Sequence, residues 1–119
     1  MKESDIDEIM LWYDNFTEIV RQLSMNAEEQ IQKLKGTVVA DEIATDFSEI
    51  GMQYAQKLLS YGWITQEQFI IAQDIEKKLE RMSQKKELWN NDALSNAAEW
   101  DNCRKSGKEL LQTLDIAIL

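Results

Sequence analysis

The chain contains no histidine, no proline and a single cysteine in 119 residues. Without histidine there is no Ser/His or Cys/His catalytic pair, no imidazole metal site, and no Glu-x-x-His element of the kind that holds a di-iron centre in a bundle. A lone Cys103 rules out an internal disulfide and a thiolate zinc site, and it suits a reducing compartment. Because proline is missing, no periodic segment is interrupted by a residue that breaks a helix. Long hydrophobic runs are missing too. The longest, Ile9 to Tyr13, falls far short of the ~20 residues needed to cross a bilayer. The opening Met1-Lys2-Glu3-Ser4-Asp5 turns acidic at once, unlike the basic start and apolar stretch of a secretory signal. A cytoplasmic location with no membrane partner is therefore expected.

What is present is a helical pattern. Hydrophobic residues make up 44% of the chain and charged residues 29%, enough apolar surface for one core in one domain spanning 1–119. Ile6, Ile9, Met10, Tyr13, Phe16, Val20 and Leu23 recur at three- and four-residue steps, predicting a helix over about residues 5–24 with Ser4 as its cap. Asn26 with Glu29 predicts a second, short helix that Gly36 stops. Thr37 is expected to start a third helix, with a stripe of Ile43, Phe47, Ile50, Tyr54, Leu58 and Tyr61 ending at Gly62. Thr65 with Gln68 is a capping box for a fourth helix that buries Phe69, Ala72, Ile75, Leu79 and Met82. A polar turn follows around Trp89–Asp92. Asn96 with Glu99 then predicts the start of a last helix carrying Trp100, Cys103, Gly107, Leu110, Leu111 and Leu114. The tail Ile116–Leu119 fits either an extension of that helix or an extended docked segment. Short connections and the absence of strand pairs predict an all-α fold, an antiparallel bundle of four or five helices.

Reactive groups are scarce. Asp46 with Glu49, and Asp5 with Glu8, are acidic pairs that each project from one helix face. Two such pairs on facing helices would suit a Mg²⁺-dependent nucleotide hydrolase, the alternative activity, although Asp5 and Glu8 sit at a helix start where they already complement the dipole. The plainer reading of these carboxylates is solvated helix surface, and no cofactor or metal is expected. Cys103 lies on an apolar stripe and reads as a small buried hydrophobe, although Arg104 and Lys105 beside it would favour a thiolate. Trp100 reads as core, and Trp63 as packing over the fourth helix. Trp12 and Trp89 fit either plugs at the bundle ends or partner contacts.

Charge is the most informative feature. The formal net charge is −9, which disfavours nucleic acid as a ligand because the dominant phosphate term would be repulsive. Residues 1–50 hold 12 acids against 4 bases, a net of −8, while residues 51–119 hold 10 against 9 and are nearly neutral. Asp7, Asp14 and Glu18 share a side of the first helix; Glu42, Asp46 and Glu49 share a side of the third. With those helices as neighbours, their faces would join into one negative patch. Such a patch serves solubility or grips a basic partner, and opposed fields speed association. The candidate contact residues are Asp14, Glu18, Glu42, Asp46 and Glu49, with Trp12 as apolar anchor.

The stretch Glu87-Leu88-Trp89-Asn90-Asn91-Asp92-Ala93-Leu94, followed by Glu99-Trp100, Arg104 and Glu109-Leu110-Leu111, resembles the ends of small helical immunity proteins. These are encoded beside bacterial polymorphic or contact-dependent growth-inhibition toxins. The resemblance implies a non-catalytic, cytoplasmic protein that binds and neutralises one cognate toxin, often a nuclease with a basic cleft. It carries over no binding residue, and the pattern of the colicin-DNase inhibitors is not present. An acidic adaptor that mimics nucleic acid shares the same charge signature with a different target.

Overall fold

The computed structural model describes the backbone of residues 3–114 and the side chains of residues 5–114. The tail Ile116–Leu119 lies outside the described residues. Helix α1 spans Glu3–Ser24, α2 Ala27–Lys33 and α3 Val39–Thr45. A π-helical turn, Asp46–Gly51, joins α3 to α4, Met52–Ser60. After a tight turn come α5, Gln66–Met82, a short 3₁₀ turn at Lys86–Leu88, α6, Asn91–Asn96, and α7, Ala98–Thr113. No strand occurs among the described residues.

Local chemistry accounts for most of these boundaries. Asn26 Oδ1 accepts the Glu29 amide at 2.9 Å and starts α2, satisfying one of the free donors of a helix start. Thr65 and Gln68 form the reciprocal capping box, with bonds of 3.1 and 2.7 Å. Gly62 adopts φ +75° in the turn before α5, a conformation that costs a residue with a Cβ. Three expected caps are not used. Helix α1 is already formed at Glu3, so Ser4 lies within it. Thr37 turns back to donate its hydroxyl to the Leu34 carbonyl at 2.7 Å, and α3 begins two residues later behind Val38. Asn96 ends α6 by bonding to Asp92, leaving Ala97 to precede α7.

Cross-helix contacts fix the packing. Between α1 and α7, the Tyr13 hydroxyl donates to the Leu114 carbonyl while Gly107 meets Ser24. Between α1 and the α3–α4 rod, Gln22 meets Asp46, Gly51 faces Ile19, and Asn15 reaches the Tyr54 hydroxyl. Between α5 and α7, Gln68 reaches Thr113, Lys78 reaches Ser106, and Met82 touches Cys103. In each pair one number rises as the other falls, so the neighbours are antiparallel. The α3–α4 rod and α5 are joined by the turn at Gly62 and also pack together. The result is an up-down-up-down bundle of four long helical bodies, in which the expected antiparallel all-α fold is realised.

Short helices α2 and α6 close one end of this bundle. Gln30, fully buried, donates to the Gln22 and Leu23 carbonyls at the end of α1, both at 3.0 Å. Its side-chain oxygen accepts from Arg104 Nη1 at 3.3 Å, and the same nitrogen donates to the Leu94 carbonyl at 2.9 Å. Arg104 is only 7% exposed. The network satisfies buried polar groups that would otherwise each cost about 1–3 kcal/mol.

At the α1–α7 contact a Cβ at Gly107 would run into the buried Ser24 hydroxyl, which bonds to the Val20 carbonyl, so any larger residue there must displace that side chain.

Candidate functional site: an acidic groove between α3 and α5

The six residues singled out from charge and pattern are dispersed. Trp12 is half-buried at the open end of the bundle, 5.7 Å from the Tyr61 ring, with Lys57 Nζ 5.0 Å above its own ring. Asp14 and Glu18 are exposed on the outer side of α1. Glu18 is neutralised within the chain by Arg21 at 2.9 Å and Lys33 at 3.1 Å. Its hydrogen bond to Lys33, opposed by slight burial and aided by the charges of Lys33 and Arg21, holds its carboxyl below the usual range. Glu42 is exposed on α3, and Asp46 is half-buried and accepts from Gln22 Nε2 at 2.9 Å. Glu49 faces the other way, into a groove bordered by α5. The expected single face therefore divides, with Asp46 turned to α1 and Glu49 turned to α5.

The π turn is the physical cause. The Met52 amide bonds to the Phe47 carbonyl, five residues back, so one extra residue is accommodated in that turn. Every later side chain is set back around the helix axis. The buried stripe runs Ile43, Phe47, Gly51, Ala55, Leu58 instead of passing through Ile50 and Tyr54. Ile50 is 45% exposed and Tyr61 51% exposed, although both belong to the stripe that regular α-helical spacing predicts. Glu49, within the widened turn, is displaced relative to Asp46 by the same insertion.

The groove holds about 600 Å³ and is bordered by Asp41, Thr45, Ser48 and Glu49 from the α3 side and by Glu76, Leu79, Glu80 and Ser83 from the α5 side. Trp89 closes one end. Its indole nitrogen donates to the Met82 carbonyl at 2.9 Å, and its ring meets Trp100 edge-on at 5.4 Å. Trp100 is fully buried and donates to the Leu88 carbonyl at 2.7 Å. The wall of the groove is thus an aromatic ring clamped by the core. No lysine or arginine lines the groove, and none of its four carboxylates makes an ion pair among the described residues.

Of the groove carboxylates only Glu49 was a candidate; Asp41, Glu76 and Glu80 were not. Glu76 and Glu80 lie four residues apart on α5, a like-charge spacing that costs a few tenths of a kcal/mol. That unfavourable pair is the signal available in the sequence. Its meeting with α3 depends on tertiary packing and is not readable from spacing.

Cys103 offers no chemistry here. Burial pushes its thiol up to about 11, outweighing the nearby positive charges of Lys78 and Arg104, and its Sγ lies 3.6 Å from Met82 Sδ. The thiolate that Arg104 and Lys105 would favour is therefore opposed by desolvation. Trp63, expected over the following helix, sits instead 6.1 Å from the Tyr13 ring of α1. Among the described residues no three carboxylates or thiols converge closely enough to hold a metal ion, and no helix is long and apolar enough to cross a membrane. Fold and site together define an all-α helical bundle with an acidic, aromatic-walled groove. Comparison with protein-family models, curated proteins and solved structures finds no match.

Proposed function

We propose that the chain is a stoichiometric inhibitor of the immunity type, binding a basic bacterial toxin, a nuclease, and covering its substrate cleft. The observation that carries this reading is the groove, where four carboxylates on facing helices make no ion pair among the described residues, beside a tryptophan packed on the core. Uncompensated charge of one sign costs stability through self-repulsion, and a basic partner offsets that cost. Nuclease surfaces that hold phosphate are basic, so a carboxylate-lined surface competes for the same ground. Steering between such surfaces raises association rates to roughly 10⁸–10⁹ M⁻¹s⁻¹ at low salt, which suits capture of a toxin before it reaches nucleic acid. Asp14 and Glu42, exposed and without an ion pair among the described residues, add to the approach field. Glu18 and Asp46, already engaged, contribute less.

The test is co-expression with the adjacent open reading frame, scoring rescue from toxicity and co-purification. Rescue together with a complex that weakens steeply with salt is the expected result. No rescue and no complex would end the reading. The alternative, a carboxylate-dependent Mg²⁺ hydrolase of nucleotides, draws on Glu49 facing Glu76 and Glu80 across the groove. It requires Mg²⁺ alone to raise the melting temperature. An acidic adaptor mimicking nucleic acid would instead pull down a basic protein encoded elsewhere.

A further inference from the structure

We infer that the α3–α5 groove seats an arginine-bearing segment of the partner protein, with the guanidinium group held among the groove carboxylates and against Trp89. This rests on the reading of the chain as a binder of a basic protein, and it names the chemistry of the contact.

Three properties of the groove select arginine. The first is charge: Asp41, Glu49, Glu76 and Glu80 present acceptors from two helices with no base among them. A guanidinium carries five donors in a fixed fork, and it pairs with carboxylates on more than one side, whereas an ammonium acts as a compact, strongly hydrated point. The second is the aromatic wall. Trp89 is fixed by its bond to the Met82 carbonyl and by Trp100, so no ordering cost falls on it when a cation arrives. Tryptophan is the best aromatic partner for a cation, and arginine is the cation found there more often. The third is size. At about 600 Å³ and open to solvent, the groove exceeds one guanidinium and leaves room for the chain that carries it, which suits a protein segment better than a free small cation. A metal ion is disfavoured on geometry, because the carboxylates do not converge.

The molecule uses the same chemistry elsewhere in miniature. Lys57 lies over Trp12 at the other end of the bundle, an aromatic ring already supplied with its cation. Trp89 is half-buried, T-packed on one side, and lines a groove that supplies none.

The test uses the full chain and two probes of equal charge, N-acetyl-tetra-arginine amide and its tetra-lysine counterpart. Both are titrated by calorimetry at fixed ionic strength while the Trp89 indole N–H resonance, assigned by its loss in Trp89→Phe, is followed. The arginine peptide is expected to bind about two- to fivefold more tightly than the lysine peptide, because the carboxylates and the aromatic wall both favour a guanidinium over an ammonium. It should also move the Trp89 resonance. Trp89→Leu should narrow the preference to the part that the carboxylates supply, Trp89→Phe should keep most of it, and Glu49→Gln with Glu76→Gln should weaken both peptides. Circular dichroism establishes that each variant keeps its helices. Equal binding of the two peptides to the unaltered protein, or a preference left unchanged by Trp89→Leu, would overturn the inference. The two readings fail separately. A toxin complex insensitive to Glu49→Gln and Trp89→Leu would remove arginine seating and leave inhibition intact. Arginine preference without any toxin complex would keep the groove and remove the inhibitor.

Discussion

Helix α5 separates two flanks built on opposite plans. Toward α7 two lysines are paired within the molecule. Lys78 bonds to Asp74 at 3.2 Å and to the Ser106 hydroxyl at 2.7 Å, and Lys85 meets Glu99 at 3.2 Å. Between them Met82 and Cys103 close a buried seam. Toward α3 the same helix presents Glu76 and Glu80 to a groove shared with Asp41 and Glu49, which no lysine or arginine lines among the described residues. The chain has 13 lysines and arginines, so the open flank is not explained by a shortage of them. The contrast teaches that net charge alone says little about this protein. What distinguishes the α3 flank is where the balancing residues have been withheld. An acidic surface made only for solubility has no need of a groove, an aromatic wall or facing carboxylates.

The largest expected effect comes from removing what the two flanks share. Trp100 stands behind Trp89 on the groove side and packs in the core with 0% exposure. Trp100→Ala should cost about 3–5 kcal/mol, read from urea denaturation. It should also release Trp89 from its clamp and so lose the arginine preference in whatever fraction stays folded. A cost under about 1 kcal/mol would mean that the groove wall stands without core support.

Next in size is a pH effect confined to the closed seam. The Cys103 thiol is pushed up to about 11 by burial, whereas an unfolded cysteine ionises near 8.5. Above that pH the unfolded chain has lost this proton and the folded chain has kept it, so stability falls as pH rises. The loss should run from about pH 8.5 to 11 and approach roughly 2–3 kcal/mol. Denaturation at pH 7 and at pH 10.5, for the protein and for Cys103→Ala, isolates it because the two differ in this side chain alone. An equal loss in the variant would place the effect elsewhere.

Much of the bundle was legible in the sequence because its signals are local. The Thr65–Gln68 box, the Asn26 cap, the turn at Gly62 and the stripes of α5 and α7 depend on residues within a few positions of one another. Thr37 and Asn96 were misleading because each donates its side-chain hydrogen back to the turn before it, and the next helix begins only after Val38 and Ala97. The π turn left one mark in the sequence, Gly51, a poor helix former that the regular stripe passes over. Its place shows only in the packing, where a Cβ at Gly51 would lie 3.1 Å from Ile19 Cγ2. Missing that turn misplaces every later side chain on the rod, which is why Asp46 and Glu49 were expected on one face. The groove itself needed α3 and α5 brought together, and no spacing within either helix encodes that.

The smallest expected effect tests the comparison most directly, because its sign differs on the two flanks. Glu76→Gln with Glu80→Gln should stabilise the free protein by about 0.2–0.5 kcal/mol, by removing a like-charge pair four residues apart on a helix. Lys85→Ala on the closed flank should destabilise it by at most about 1 kcal/mol, the usual worth of an exposed ion pair. Both changes should shrink in 1 M salt, where the screening length falls to about 3 Å. Paired denaturation curves at low and high salt read both effects. If the glutamine substitutions destabilised the chain at low salt, Glu76 and Glu80 would be making favourable contacts within the fold, and the α3 flank would be as closed as the other.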